Sequence, residues 1–185
     1  PRIIDAFRKI DRADFVPLEL KEEAYVNEPI SIGRGQTISQ PLTVAFMLEL
    51  LHPVTGNKIL DIGSGSGWQS ALLAEIVGIK GKVFAIELIT KLSAWGEKNA
   101  AQYNFSHLKF LCGNGSDGLP SEAPFDRIVA AASAEKIPEA WKEQLKIGGR
   151  MALPVGNSIW LLIKKGKNKF EEIEYPGFAF VPFII

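Results

Sequence analysis

The sequence has few of the side chains that cross-link a chain or hold it in a membrane. Its 185 residues include one cysteine, Cys112, so no disulfide can form within the chain. A single cysteine after an apolar run is expected to be a small core residue rather than a nucleophile. No apolar run in the sequence approaches the ~18 residues that a membrane span requires. These absences favour a reducing compartment, and we expect a cytoplasmic protein.

An excess of charge is also lacking. The 21 Lys and Arg residues balance 21 Asp and Glu residues, which leaves a formal net charge of zero. Proteins that bind a nucleic-acid duplex usually present a basic face to its phosphates. The densest basic cluster, at 164–169, includes Gly166 and Asn168, so we expect a solvated turn there. Nucleic acid is therefore not an expected partner.

Apolar residues, in contrast, make up 46% of the chain, enough for a sizeable core. The first thirty residues are predicted to be helical. Their apolar side chains fall at helical spacing on one face: Ile3, Ile4, Phe7 and Ile10. A second, strongly apolar helix is predicted directly after Pro41.

The rest of the chain alternates short apolar runs with helical stretches. The predicted strands are 58–62, 82–87, 108–112, 125–132, 150–155, 159–165 and 178–184. Strands that alternate with helices predict a parallel sheet covered on both faces. The last strands follow one another without a helix, so an antiparallel hairpin is expected at the far edge. The predicted fold class is α/β, a doubly wound, mostly parallel, Rossmann-like sheet in a single domain.

A glycine-rich loop, DIGSGSGWQ at 61–69, follows the first predicted strand. Glycine lets a backbone approach a ligand with no side chain between them. The dinucleotide fingerprint G-x-G-x-x-G needs glycine where Trp68 stands, so a NAD or FAD loop is a poor match. The pattern instead resembles the cofactor loop of class I S-adenosylmethionine-dependent methyltransferases. A tight turn that binds no ligand is the alternative interpretation.

Two further strand ends fit the same cofactor. Glu87 ends the next strand, twenty residues past Gly67, where a carboxylate can accept hydrogen bonds from both ribose hydroxyls. A Gly-Asn-Gly turn around Asn114 ends the strand after that. The resemblance to methyltransferases implies that this turn meets the adenine amino group. The alternatives are that Glu87 is a surface glutamate and that the Gly-Asn-Gly turn binds no ligand.

Nearly the whole chain, from about Ile3 to Pro182, is similar to the protein-L-isoaspartate O-methyltransferase family. The most specific match is GRGQTISQP, 33–41, which is similar to the substrate-side signature of that family. Further matches lie at 59–76, 118–132, 137–156 and 180–183. The resemblance implies an enzyme that methylates the free α-carboxylate of L-isoaspartyl residues in damaged proteins and peptides, which is a protein-repair reaction.

The resemblance also implies which residues act. The serine that matches Ser39 is the active-site residue of the family, and substrate contacts are expected from Thr37, Ile38 and Ser39. Asp61 is expected to reach the ammonium group of the donor through water. The full set of expected donor contacts is Gln36, Thr37, Ile38, Ser39, Asp61, Gly63, Ser64, Gly65, Ser66, Gly67, Glu87, Leu88, Asn114 and Gly115.

These implications extend to the rest of the molecule. Residues 1–52 would form a helical, substrate-side segment, and 53–185 the S-adenosylmethionine-binding core. The expected product is S-adenosylhomocysteine, and no metal is expected. The expected partners are isoaspartyl proteins and peptides, bound by a monomer that engages neither nucleic acid nor a membrane.

The nucleophile in this reaction, the α-carboxylate, does not have to be deprotonated by the enzyme. An α-carboxyl group has an unperturbed pKa of about 3.3–3.7, so it is ionised at neutral pH and requires no general base. This agrees with a chain that has only two histidines, His52 and His107, which we interpret as incidental. The enzyme must supply position instead. Ser39 could hold a carboxylate oxygen, cap the helix after Pro41, or do both.

Two departures from the family pattern leave other functions open. Asn114 stands where the family usually has aspartate, and a histidine sometimes found shortly after the serine is replaced in 42–44. One alternative is a methyltransferase that acts on another carboxylate or on RNA, although the neutral charge counts against RNA. Another is a donor-binding homologue without catalytic activity.

Overall fold

The computed structural model describes residues 2–184 as a seven-stranded sheet with helices packed on it and a separate two-stranded hairpin. The helices are α1 (Arg2–Lys9), α2 (Pro41–Leu51), α3 (Trp68–Val77), α4 (Thr90–Ala101) and α5 (Glu139–Gln144). The hairpin strands are β1 (Ile30–Gly33) and β2 (Gln36–Ile38). The sheet strands are β3 (Lys58–Ile62), β4 (Lys82–Glu87), β5 (Leu108–Cys112), β6 (Phe125–Ala130), β7 (Leu145–Val155), β8 (Ser158–Gly166) and β9 (Lys169–Pro176).

The sheet has the order β5–β4–β3–β6–β7–β8–β9. Strands β3 to β7 pair in parallel, and β8 and β9 add to the sheet in antiparallel fashion. The central strands read as continuous apolar runs because both faces of the sheet are covered. The predicted fold class, a mostly parallel α/β sheet with an antiparallel edge, is confirmed.

Two clusters of buried residues lie on opposite faces of β3. One contains Ile59 and the apolar sides of α1, α2, α3 and α4. The other contains Leu60 and Trp141 of α5. Alternation along the strand sends neighbouring side chains to opposite faces, which is why one five-residue strand serves both clusters. Among residues 2–184, no helix has the length and apolar character to cross a membrane.

The predicted last strand is wrong. The edge strand is β9, and the segment 178–184 instead crosses the carboxyl ends of the sheet. It is held by two hydrogen bonds at Ser133, whose N–H donates to Val181 O (2.8 Å) and whose carbonyl accepts from Phe183 N–H (2.8 Å). β9 was missed because Glu171, Glu172 and Glu174 interrupt it and its half-buried residues, Phe170, Ile173 and Tyr175, do not follow a regular period of two.

The N-terminal region is less helical than predicted. After α1, it contains two short 3₁₀ helices, Arg12–Phe15 and Leu18–Glu23, and then the β1–β2 hairpin. Ile4, predicted to lie on the buried face, is 57% exposed. The hairpin strands have four and three residues, too short for a periodic apolar signal.

Two polar side chains also differ from their predicted environments. Cys112 is exposed rather than part of the core, because β5 is an edge strand and Cys112 is its last residue. Lys164, predicted to be in a solvated turn, is buried on β8 and donates to the carbonyls of Lys142 and Glu143 at the end of α5 (2.7 and 3.2 Å). The other lysines of that turn are exposed as predicted.

Helix α4 lies directly against the glycine loop. A Cβ atom built on Gly96 would be 2.9 Å from Gly65 O, and one built on Gly67 would be 2.8 Å from Gly96 O. The backbones of helix and loop therefore touch with no side chain between them. This contact requires glycine at a helix-interior position, where glycine is otherwise unfavourable.

Gly96→Ala is expected to lower the free energy of unfolding by about 1–3 kcal/mol, because the added methyl group overpacks a contact between two backbones. Helix propensity alone would change stability in the opposite direction by ~1 kcal/mol. Urea unfolding followed by circular dichroism measures the difference.

Ala94→Gly is the matched control, because Ala94 is exposed on the same helix. It is expected to lose only the ~1 kcal/mol of helix propensity. A Gly96→Ala variant as stable as wild type would contradict the close approach of α4 to the loop.

Candidate active site

A cleft opens at the carboxyl ends of β3, β4, β5 and β6, where the loops that follow these strands converge. We call it the strand-end cleft; it is lined by Ile32, Gln36, Thr37, Ile62, Gly63, Gly65, Ile86, Glu87, Leu88, Gly113, Gly115, Ala131, Ala132, Val181, Pro182, Phe183 and Ile184. Ligands of open α/β sheets bind at this edge, outside the strand ends. The cleft therefore lies where the fold predicts a ligand.

The wall of the cleft at β3 is the glycine loop. Gly63, Gly65 and Gly67 all have positive φ, at 78°, 53° and 89°, which L side chains rarely adopt. The N–H groups of Gly63 and Ser64 donate to Ile86 O at 2.8 and 3.1 Å. The loop is thus tied to β4 while its glycines turn the chain into α3. Gly63 and Gly65 line the cleft, whereas Gly67 contacts α4 instead.

Glu87 joins this loop to the exit of β4. Its Oε2 accepts from Gly65 N–H and its Oε1 from Ile89 N–H, both at 2.9 Å. The residue is 7% exposed and forms part of the cleft wall. A carboxylate can accept about four hydrogen bonds, so Glu87 keeps acceptor capacity for a ligand. Glu87 and Leu88 both line the cleft, and their contact with a ligand stays a prediction.

Asp61 lies behind the cleft rather than on its wall. It is fully buried; its Oδ1 accepts from Gln69 Nε2 (2.9 Å) and its Oδ2 from Ser70 Oγ (2.6 Å). Burial raises the pKa of Asp61 to about 6, against the opposing effect of these two hydrogen bonds, and the Glu87 charge raises it further. Asp61 therefore fastens the first turn of α3 to β3. Its water-mediated contact with a ligand stays a prediction.

The β1–β2 hairpin forms the opposite side of the site. Thr37 lines the strand-end cleft and also a second depression, which we call the hairpin groove. The hairpin groove is lined by Pro29, Thr37, Ser39, Gln40, Ala131, Ala179, Phe180 and Val181. Gln36 is on the cleft side and Ser39 on the groove side. The predicted substrate-side run thus separates two neighbouring depressions.

A smaller inner pocket lies beneath the hairpin. It is lined by Thr37, Ile38, Ser39, Val44, Gly63, Ser64, Gly65, Ser66, Trp68, Gln69 and Ala131. Ser64 Oγ is buried and has no hydrogen-bond partner among residues 2–184. A buried hydroxyl without a partner costs free energy, so this atom is suited to a polar ligand group. The predicted residues Ile38, Ser64 and Ser66 meet at this pocket.

Ser39 does not cap helix α2. The N-cap is Gln40, which makes no side-chain capping bond, and Leu42 N–H donates to Asn27 Oδ1 instead (3.1 Å). The capping interpretation of Ser39 is therefore wrong. Its hydroxyl forms no hydrogen bond with any other residue in the 2–184 range, and it remains available in the hairpin groove.

Asn114 is exposed, and the cleft wall next to it is formed by Gly113 and Gly115. Its Oδ1 accepts from Ser116 N–H at 2.9 Å, which closes a local turn. This oxygen is the acceptor expected to meet the adenine amino group, and one of its lone pairs is thus used within the protein. The asparagine side chain shapes the turn that places Gly115 on the wall.

The sequence did not identify several wall residues. Ile32 of β1, the pair Ala131–Ala132 after β6 and the segment 181–184 all line the strand-end cleft. None carries a chemical group that signals a site. Ala131, Ala132 and 181–183 belong to the stretches that resemble the family, 118–132 and 180–183, whereas Ile32 and Ile184 lie outside every such stretch. Their apolar character suits a cleft that excludes water.

Comparison with known proteins agrees with this geometry. The family model described as Protein-L-isoaspartate(D-aspartate) O-methyltransferase matches residues 1–184. A protein-L-isoaspartate O-methyltransferase of Methanopyrus kandleri is 43% identical over 99% of this chain and 83% of its own length. The corresponding protein of Aeropyrum pernix is 46% identical, over 99% of this chain and 72% of its own.

Solved structures show the same fold. A protein-L-isoaspartate O-methyltransferase structure superposes with a TM-score of 0.88 at 28% identity over 98% of this chain. The chain spans 60% of the length of that solved protein. A Plasmodium falciparum structure in complex with S-adenosylhomocysteine has a TM-score of 0.88 at 22% identity, over 99% of this chain and 90% of that one, and supports the fold alone.

Asp61→Asn is expected to remove a pH dependence of stability. The folded pKa of Asp61, about 6, exceeds its unfolded value. Below about pH 4 the carboxyl is protonated, and this neutral form favours the folded wild-type protein. This contribution to the free energy of unfolding is lost as the pH rises through about 6, and the loss amounts to up to ~3 kcal/mol. Urea unfolding of both proteins between about pH 4 and pH 7.5 measures the difference.

The stability of wild type relative to Asp61→Asn is expected to fall across this window and then level off. Asparagine is nearly isosteric and keeps an oxygen acceptor for Ser70 or Gln69. Parallel pH profiles for the two proteins would contradict the raised pKa of Asp61.

Proposed function

The chain belongs to the protein-L-isoaspartate(D-aspartate) O-methyltransferase family, and we propose that its strand-end cleft binds S-adenosylmethionine while its hairpin groove holds the isoaspartyl carboxylate. The reaction is methyl transfer from S-adenosylmethionine to the α-carboxylate of an L-isoaspartyl residue. S-adenosylmethionine supplies the methyl group, carried on a positively charged sulfur. The protein supplies position and surroundings.

The observation that supports this proposal most strongly is the place of Thr37. It lines both the strand-end cleft and the hairpin groove, as do Ala131 and Val181, so the two depressions adjoin at these three residues. Methyl transfer needs the accepting oxygen and the methyl carbon in contact and in line, at about 3–3.5 Å. Two separate ligands can react only where their sites adjoin. The hairpin provides that junction.

The donor side has suitable chemistry. The Glu87 carboxylate on the cleft wall can accept further hydrogen bonds, and ribose hydroxyls are suitable donors. The glycines of the loop bring backbone close without a side chain, and Ser64 Oγ offers an unpaired hydroxyl beside them. The charges of Asp61 and Glu87 favour a cationic ligand. For the adenine end, the Gly113–Gly115 turn remains our assignment.

The acceptor side needs no base. An α-carboxylate is ionised at neutral pH, and neither His52 nor His107 lines the cleft or the groove. Ser39 and Thr37 can each donate one hydroxyl hydrogen bond to a carboxylate oxygen. Hydroxyl donors orient the oxygen without offsetting its negative charge as strongly as a lysine or arginine ion pair would. The apolar walls of the cleft limit competing water.

A pair of peptides identical except for an isoaspartyl or aspartyl link tests this function. The purified protein with tritiated S-adenosylmethionine is expected to label the isoaspartyl peptide and barely label its aspartyl twin. The rate is expected to stay flat from about pH 6.5 to 8, because a carboxyl with a pKa near ~3.5 is already ionised. Equal labelling of both twins, or of neither while the donor binds, would contradict the assignment.

Ser39→Ala is expected to lower turnover by about tenfold to a hundredfold, because one hydrogen bond to a charged group is lost. The affinity for S-adenosylhomocysteine, measured by calorimetry, is expected to stay within about twofold. Ser106→Ala removes an exposed hydroxyl distant from the cleft and serves as the control. Normal turnover by Ser39→Ala would exclude Ser39 from the acceptor site.

A further inference from the structure

Arg12 is a fully buried cation beneath the hairpin. It lies in the 3₁₀ helix Arg12–Phe15 and has no exposed surface. Its guanidinium donates to carbonyls from three separate segments of the chain. They are Ala24 O, Glu28 O (3.4 Å), Ile38 O (3.5 Å) and Ser39 O (3.0 Å). One side chain thus binds the start of the hairpin, its end and the helix before it.

No carboxylate within residues 2–184 forms an ion pair with Arg12. The centroid of the Trp68 ring lies 5.3 Å from the guanidinium carbon, and Nε of Arg12 has no hydrogen-bond partner in that range. Burial lowers the pKa of Arg12 only to about 10, so the group stays charged at neutral pH. A buried charge without a counterion is costly. A substrate anion that binds close by would provide the missing negative charge.

The peptide bond between Ser39 and Gln40 connects Arg12 to the hairpin groove. In a trans peptide the C=O and N–H groups point in opposite directions. The Ser39 carbonyl points inward to the guanidinium, so the Gln40 N–H points away from the core. Ser39 and Gln40 both line the groove, and the Gln40 N–H has no partner in the described chain.

We propose that Arg12 is a positioning residue that polarises the Ser39–Gln40 peptide, so that the Gln40 N–H and the Ser39 hydroxyl together hold the isoaspartyl carboxylate. This inference rests on the proposed function, because it assigns the carboxylate to the hairpin groove. A hydrogen bond whose acceptor is charged is stronger, and neighbouring hydrogen bonds polarise one another. The arrangement attracts an anion without a direct arginine ion pair that would occupy both carboxylate oxygens.

The inference predicts a preference for charge. An isoaspartyl peptide should bind more tightly than its isoasparaginyl twin, in which a neutral amide replaces the α-carboxylate. Both peptides can be titrated calorimetrically into the protein saturated with S-adenosylhomocysteine, where no methyl transfer occurs. Arg12→Gln is expected to weaken the isoaspartyl peptide about tenfold and to leave the isoasparaginyl peptide within about twofold.

A merely structural role for Arg12 would weaken both peptides equally, and that result would overturn the proposal. Arg8→Gln is the matched control: it removes one positive charge from α1, where Arg8 is exposed and forms an ion pair with Asp5. It is expected to leave both affinities unchanged. An equal loss of carboxylate preference in Arg8→Gln would show that net charge, and not the Ser39–Gln40 peptide, sets the preference, and would also overturn it.

Arg12→Lys provides a second test if Arg12→Gln fails to fold, as judged by circular dichroism. Lysine keeps the charge but loses the planar fork that reaches several carbonyls. The ratio of the two peptide affinities is expected to stay within about threefold of wild type, even if both affinities fall. Loss of the ratio in folded Arg12→Lys would overturn the proposal.

Failure of the proposed function would be recognised separately. Wild type is expected to bind the isoaspartyl peptide more tightly than either the aspartyl or the isoasparaginyl twin. If its affinity for the isoaspartyl peptide exceeds neither of the other two, the groove does not hold this carboxylate. If wild type shows the preference and folded Arg12→Gln keeps it, only the role of Arg12 is excluded.

Discussion

The parallel pairing of β3 with β4 on one side and with β6 on the other is the constraint on which the site depends. Ile59 is in register with Val83 of β4 and with Arg127 of β6. The chain must therefore leave neighbouring strand ends in different directions, which opens a cleft between the loops. Glu87 then joins two of these loops through hydrogen bonds to Gly65 and Ile89. This wall of the strand-end cleft therefore follows mainly from backbone geometry.

The acceptor side is added by a different kind of contact. A two-stranded hairpin is marginally stable by itself in water. β1 and β2 are fixed here by the burial of Ile32 and Ile38 and by Arg12, which bonds to carbonyls at both ends of the hairpin. The sheet forms most of the strand-end cleft, and the hairpin brings Thr37 to the cleft and Ser39 to the adjoining groove. The cleft and the groove thus depend on separate parts of the chain that meet at the hairpin.

Local signals in the sequence predicted much of the wall of the strand-end cleft. A glycine loop directly after a buried strand and an acidic residue at the end of the next strand have direct structural meanings, and both lie on the cleft or next to it. The exposure of Cys112 was missed because neither strand order nor which strand forms an edge is encoded locally. The strand β9 was missed because its glutamates obscure its apolar pattern. Arg12 stands in a polar stretch, and only the tertiary fold makes it a buried cation.

The most direct measurement is a crystal structure of this protein with S-adenosylhomocysteine and an isoaspartyl peptide. We expect the sulfur in the strand-end cleft and the α-carboxylate in the hairpin groove, with one oxygen ~3 Å from Ser39 Oγ and from Gln40 N. The other oxygen should face the sulfur past Thr37. A carboxylate bound outside the groove, or separated from the sulfur by the hairpin, would contradict the assignment of donor and acceptor to these two adjoining sites.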